Sequence, residues 1–361
     1  MKILFLIEEL NGGGKERRLT ELLKGLSQDV GSLEVYLILS RDSIDYPEIL
    51  DLPITIHFLE SGTNFSLVKK YYLLFNQLKP DVIHSWSYKT SFYASILKPF
   101  FSYRLISGFV GDTFGLKKAE AFVAKYVIYK KSDAIISNSQ SGLNAYKCPT
   151  LKSHVICNGF DTDRISSKDN KCLESIGVTT PLTVLMLANV TPFKDYQLFI
   201  DVAKHVISIR DDVTFISIGK ILPEFQNIAD PYIDNRHPKI KFLGFRDDTA
   251  DLIKDGDLGL LCTYTEGVSN AVIELMANQI PVITNDQLGA SRELIDNNVD
   301  GVICSNADIF RKTLYLLNDV NTRKKMGKSA RFKILNSFSL DRMVDRYKDM
   351  YLNEYKKIEG K

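Results

Sequence analysis

Short apolar runs alternate with longer amphipathic stretches along almost the whole chain. The first run, Met1-Lys2-Ile3-Leu4-Phe5-Leu6-Ile7, reads as a buried strand. It passes through a glycine-rich turn into a helix pattern carried by Leu19, Leu22, Leu23 and Leu26. Strand-like runs follow at Val35–Leu39, Ile54–Phe58, Val82–His84, Arg104–Ser107, Asp133–Ser137 and Ser153–Cys157. Helix patterns at Ser66–Leu78, Ser91–Leu97 and Lys118–Lys131 separate several of them. Strand, helix, strand with short links predicts an α/β fold whose parallel sheet is covered on both faces.

The alternation then stops and restarts. Residues 162–180 are polar, charged and poor in apolar side chains, as an interdomain boundary is. A second series begins at Pro181, with strands at Leu182–Leu187, Val213–Ile218, Ile240–Leu243, Leu258–Cys262, Pro281–Thr284 and Gly301–Ile303. Helices are expected at Tyr196–Ile209, Asn306–Leu317, Thr322–Leu335 and, basic and amphipathic, Ser339–Tyr355. A chain of 361 residues accommodates two such domains with substantial cores.

The bulk numbers mainly exclude. A net charge of +2 gives no general attraction to nucleic acid, so none is expected as a partner. Cys148, Cys157, Cys172, Cys262 and Cys304 form no CxxC pair and are odd in number. That fits neither zinc nor a disulfide framework and predicts a reducing compartment, hence a cytoplasmic protein. The N-terminal apolar run is too short for a signal peptide core, and no run approaches the ~20 residues of a membrane-spanning helix.

One stretch carries a chemical pattern. Glu266-Gly267-Val268-Ser269-Asn270-Ala271-Val272-Ile273-Glu274 links the strand Leu258–Cys262 to a helix. Ser269 or Asn270 is the expected N-cap. Glu266 then lies in the loop, and Glu274 on the second turn, about 7 Å further along the axis. Between them the unpaired N–H groups of the helix start favour an anion. A phosphate flanked by two hydroxyl-accepting carboxylates suits a sugar nucleotide. Solvated acids beside an ordinary cap are the plainer reading of the same residues.

Other candidates are weaker singly. Gly12-Gly13-Gly14 follows the first strand and is either a phosphate or sugar cradle or a tight connection. It matches neither the dinucleotide nor the P-loop fingerprint. His84 ends a strand, where open α/β sheets bind ligands; it either touches substrate or is a hydrogen-bonded histidine near the sheet edge. Lys194 and Arg246 each follow a strand of the second series and could meet a diphosphate, or be surface cations. The stretch from Phe92 to Lys131, with Phe100, Phe101, Tyr103 and several lysines, is either a membrane-docking surface or a solvated lysine-rich face.

Taken together these motifs resemble the family-four retaining glycosyltransferases. The match runs in order through Gly13-Gly14-Lys15-Glu16-Arg17, Pro80-Asp81-Val82-Ile83-His84, Ser137-Asn138-Ser139, Asn158-Gly159-Phe160-Asp161, Leu243-Gly244-Phe245 and the Glu-x7-Glu stretch. The resemblance implies the GT-B fold: two Rossmann-like domains with parallel sheets facing across a cleft, residues 1–163 on the acceptor side and 164–338 on the donor side. The final helix, 339–361, would cross back onto the first domain.

It also implies roles. Glu266 would contact the donor sugar, and Glu274 the nucleotide ribose. Val268, Ser269 and Asn270, with Gly267, would hold oxygens through backbone N–H groups. Lys194 would neutralise the leaving diphosphate, with Gly13, Gly14, Asn189 and Arg246 completing the donor site. Glu266, Lys194 and His84 form the expected catalytic set. No cofactor or metal is implied. The donor would be a UDP-sugar and the acceptor a glycan or lipid-linked sugar at the inner membrane surface, in cell-surface polysaccharide synthesis. Two departures stand out. Asn189 occupies the place where the family usually has arginine, and Gly108-Phe109-Val110-Gly111 holds no histidine. A sugar-nucleotide epimerase can share the same two-domain architecture, and the missing arginine and histidine leave room for a non-catalytic subunit that binds nucleotide sugar.

Overall fold

The computed structural model describes residues 1–28, 33–59, 62–111, 115–165, 172–285 and 289–359. Part of the polar segment between the two series, residues 166–171, lies outside them, as do residues 112–114 of the aromatic and lysine-rich stretch. The chain divides into two compact units. One is Met1–Gly159 with Leu340–Lys361, and the other is Phe160–Ser339.

The first unit is built on seven parallel strands: β1 (Lys2–Ile7), β2 (Glu34–Leu39), β3 (Thr55–Phe58), β4 (Val82–Ser85), β5 (Arg104–Val110), β6 (Ala134–Ser137) and β7 (Ser153–Val155). Their order is β3-β2-β1-β4-β5-β6-β7. The chain therefore winds outward from β1 to one edge, then returns to its other side. Phe5 of β1 lies opposite Leu37 on one flank and His84 on the other. Leu19, Leu22, Leu23 and Leu26 of the helix Gly14–Ser27 cover one face, together with Met343, Val344, Tyr347 and Tyr351 of the C-terminal helix. Tyr71, Phe75, Tyr93 and Leu97 cover the other.

The C-terminal helix, Leu340–Glu359, is thus part of the first unit's core. A buried carboxylate pins its far end: Glu354 accepts from Arg104 Nε at 2.8 Å and Nη2 at 2.5 Å. Close packing against the first helix depends on Gly25. A Cβ there would lie 2.3 Å from Val344 Cγ2.

The expected single helix over Lys118–Lys131 is interrupted. It runs as Lys118–Val123, a π-helical turn Ala124–Ile128, and a last turn Tyr129–Lys131. Ala124, Ile128 and Tyr129 of this segment all reach the same apolar cluster.

The second unit repeats the plan with six parallel strands: β8 (Leu182–Leu187), β9 (Val213–Ile218), β10 (Ile240–Phe242), β11 (Leu258–Leu261), β12 (Val282–Thr284) and β13 (Gly301–Ile303). Their order is β10-β9-β8-β11-β12-β13. Val184, Met186, Phe215, Leu260 and Ile283 are fully buried in its core. Such runs are continuously apolar because helices cover both faces.

Gly25 gives a stability test. Glycine in a helix interior is unfavourable by about 1 kcal/mol relative to other helix formers, whereas overpacking costs about 1–3 kcal/mol. Gly25→Ala is expected to lower the melting temperature, because its Cβ overlaps Val344. In a Val344→Ala background the same change should be neutral or stabilising. Thermal melts of the four proteins check the sign reversal.

Candidate functional site

In an open α/β sheet, loops diverge where the strand order reverses, and they leave a crevice at the carboxyl ends. In the second unit that point lies between β8 and β11. Two loops leave it, 188–195 after β8 and 262–269 after β11. The backbone joins them: Asp195 N–H donates to the Cys262 carbonyl at 3.0 Å, and Tyr264 N–H to the Phe193 carbonyl at 3.1 Å. Thr263 reinforces the join, its hydroxyl 3.0 Å from the same Phe193 carbonyl. Its N–H donates to Asn285 Oδ1 at 2.8 Å, tying in the end of β12.

This seam brings Lys194 onto Glu266. The ammonium pairs with Glu266 Oε2, and both side chains are largely buried. Oε1 of Glu266 takes no partner among the described residues. Lys194, expected to neutralise a diphosphate, is thus paired with a carboxylate. Beyond the loop, the helix Asn270–Ala277 starts at its N-cap, Ser269, whose side chain makes no capping bond. Gly267, Val268 and Ser269 are buried and Glu266 and Asn270 half-buried. Glu274, on the helix, pairs with Arg164 Nη2 at 2.5 Å.

Asn189 and Arg246 each have a local partner. Asn189 Oδ1 accepts from the Lys220 N–H at 2.9 Å, bracing the loop after β8 against the loop after β9. Gly219 makes that approach possible, since a Cβ there would lie 2.1 Å from the Ala188 carbonyl oxygen. Arg246 forks onto Asp248 at 2.8 and 2.6 Å, a local pair two residues apart. The geometry thus gathers Lys194, Glu266 and Gly267–Asn270 but leaves Arg246 on its own carboxylate.

Gly13 and Gly14 belong to the first unit, at the carboxyl end of β1. Gly13 is the N-cap of the helix Gly14–Ser27. The loop is braced by Gly12 N–H donating to Asp45 Oδ2 at 2.7 Å and Tyr46 Oη donating to the Gly13 carbonyl at 3.1 Å.

His84, the third member of the expected catalytic set, is fully buried. Its Nδ1 lies 2.7 Å from Tyr351 Oη, and its ring sits 4.8 Å from that of Trp86 and 5.7 Å from those of Phe5 and Tyr347. Strand β4 lies beside central β1, so His84 points beneath the C-terminal helix and away from solvent. A Cβ at Gly108 would come within 2.7 Å of His84 Nε2, so His84 and Gly108 form a packed pair where the resemblance would expect a second histidine.

Sequence reasoning missed Thr263, Asn285 and Arg164. The first two directly follow or close on strand ends, a position that could have flagged them. Arg164 gave no such signal.

Burial, and the nearby charge of Arg18, hold the His84 pKa well below its ordinary 6.5. Above that value both folded and unfolded states are neutral at this site. Below it the unfolded chain takes up a proton that the folded chain refuses. Stability should therefore fall with pH below about 6.5, by up to ~1.4 kcal/mol per pH unit from this group. Urea titrations between pH 7 and 5 should show a shallower loss in His84→Asn than in the parent protein.

Comparison with known proteins follows the same two halves. The family described as Glycosyltransferase Family 4 matches residues 12–164, and that described as Glycosyl transferases group 1 matches residues 181–319. The chain is 27% identical over 213 residues to the UDP-Gal:alpha-D-GlcNAc-diphosphoundecaprenol alpha-1,3-galactosyltransferase of Escherichia coli. That match covers 56% of this chain and spans about half, 54%, of that enzyme. It is 24% identical over 355 residues to the N-acetylgalactosamine-N,N'-diacetylbacillosaminyl-diphospho-undecaprenol 4-alpha-N-acetylgalactosaminyltransferase of Campylobacter jejuni, covering 91% of this chain and 94% of that one. Among solved structures, Anabaena HepE in complex with UDP and glucose superposes with a TM-score of 0.84 at 19% identity, over 98% of this chain and 100% of that one. The observed fold is GT-B, and the chain belongs to the family-four glycosyltransferases.

Proposed function

We propose that this protein transfers a sugar from a UDP-sugar to a glycan or lipid-linked acceptor, with retention at the anomeric carbon and without a metal, in cell-surface polysaccharide synthesis. The observation that carries this reading is the Lys194–Glu266 pair at the switch point of the second sheet, next to the start of a helix bearing Glu274. The names of the relatives support it. The Escherichia coli and Campylobacter jejuni enzymes are transferases named for undecaprenyl-diphosphate-linked acceptors, and HepE was solved with UDP and glucose.

The chemistry follows from charge. Breaking the bond between the anomeric carbon and the β-phosphate oxygen leaves a diphosphate carrying added negative charge. Lys194 and the backbone N–H groups of Val268, Ser269 and Asn270 supply preorganised positive potential for it. The ammonium shares itself between this charge and Glu266, whose other oxygen, Oε1, accepts from a sugar hydroxyl. Glu274 accepts from the ribose. Asn189 braces a loop and supplies no cation, so the charge on Lys194 carries more of the load.

Lys194→Ala should reduce turnover about 10²–10³-fold, and Glu274→Ala should weaken donor binding about tenfold. Release of nucleoside diphosphate from a panel of nucleotide sugars, with and without acceptor, checks both. Near-normal turnover in Lys194→Ala would sink the placement of the phosphate. Conversion of donor without acceptor would indicate an epimerase, and tight donor binding without turnover a non-catalytic subunit.

The acceptor chemistry extends the proposal to the inner membrane surface. No helix among the described residues is long and apolar enough to cross a bilayer. Phe122 and Tyr126 are 65% and 53% exposed, their rings 4.7 Å apart. Lys117, Lys118, Lys125, Lys130 and Lys131 of the same segment are exposed. Exposed aromatic rings on a segment rich in exposed lysines suit an anionic interface. The protein should sediment with anionic vesicles at low salt and leave them at high salt. Phe122→Ser with Tyr126→Ser should weaken the association at least tenfold. No binding at low salt would remove this part of the proposal.

A further inference from the structure

Glu274 does not stand alone. Its Oε1 accepts from Arg164 Nη2 at 2.5 Å, with the two side chains 17% and 28% exposed. Among the described residues its Oε2 has no partner. Arg164 is itself held in place. It ends the short turn Thr162–Arg164, whose preceding Asp161 side chain accepts from the Asp163 N–H at 3.0 Å. Its guanidinium lies 5.6 Å from the centre of the Phe160 ring. Phe160 is buried, and its N–H donates to the Phe338 carbonyl at 2.8 Å.

A glutamate on an open helix face rotates about three bonds, and fixing it opposes ligand binding. Here a guanidinium on a short, braced turn fixes one oxygen beforehand. The direction of the other oxygen is then set without the ligand.

We infer that Arg164 is a positioning residue for the donor nucleotide: it clamps one oxygen of Glu274 so that the other is presented to the paired hydroxyls of a ribose. The inference rests on the reading of Glu274 as the ribose acceptor. It names the sugar class selected, ribose over 2′-deoxyribose, because a fixed acceptor discriminates between one hydroxyl and two more sharply than a mobile one.

The test is calorimetric binding of UDP and 2′-deoxy-UDP to the full chain and to Glu274→Gln, Arg164→Ala and Arg164→Lys. The parent protein should prefer UDP about tenfold or more. Glu274→Gln and Arg164→Ala should both bring that ratio close to one. Arg164→Lys, which keeps the charge but not the planar fork, should fall between. Should Arg164→Ala fail to fold, Arg164→Lys carries the test alone, and a parental ratio in it overturns the inference. If the Arg164 variants keep the parental ratio while Glu274→Gln abolishes it, the inference fails and the reading of Glu274 stands. Equal weakening of both nucleotides, as expected of an arginine serving the phosphates, also overturns it. If Glu274→Gln keeps the parental ratio, the reading of Glu274 is wrong and the inference falls with it.

Discussion

A parallel sheet buried on both faces has room for polar chemistry only at the ends of its strands. Both sheets here are of that kind, with β1 and β8 central and nearly wholly buried. Inside such a sheet the strand ladders satisfy most backbone groups, and an unpaired polar side chain is costly. Functional groups therefore collect in loops at the carboxyl ends, where two neighbouring loops must be held side by side. In the second unit Asp195 and Tyr264 do that holding through backbone hydrogen bonds between the loops after β8 and β11, and Thr263 through its hydroxyl. Removing this seam would separate Lys194 from Glu266 without touching either.

The ion pairs in the second unit make sense as positioning devices more than as sources of stability. Exposed pairs contribute about 0–1 kcal/mol, and burial adds a desolvation penalty that offsets much of the attraction. What such a pair does well is fix a direction. Lys194 holds one oxygen of Glu266, and Arg164 one oxygen of Glu274. Among the described residues the second oxygen of each has no partner. Two acids that look alike in sequence are thus each half-committed, one to an ammonium and one to a guanidinium.

The buried polar groups of the first unit have a different task. His84, Tyr351 and Glu354 join the C-terminal helix to β4 and β5 through hydrogen bonds within the core. Burial disfavours the charged form of the histidine, and its ring packs among aromatic rings. Its position at the end of a strand was legible, but its direction was not. Successive strand residues point to opposite faces, and which face lies beneath a distant helix is a tertiary fact.

What the sequence determined by itself is the plan: two α/β series and a Glu-x7-Glu stretch between a strand and a helix. These are local properties, read from apolar runs, turn residues and spacing along a single element. Tertiary structure alone decided the partners. Arg164 reaches Glu274 from 110 residues away, Lys194 reaches Glu266 from 72, and Tyr351 reaches His84 from 267. Asn189 likewise turned out to brace Lys220, and Arg246 to pair with its own neighbour Asp248. Charge and hydrogen-bonding act through space over a few ångströms, so a partner brought close by the winding of a sheet leaves no trace in the spacing of residues along the chain.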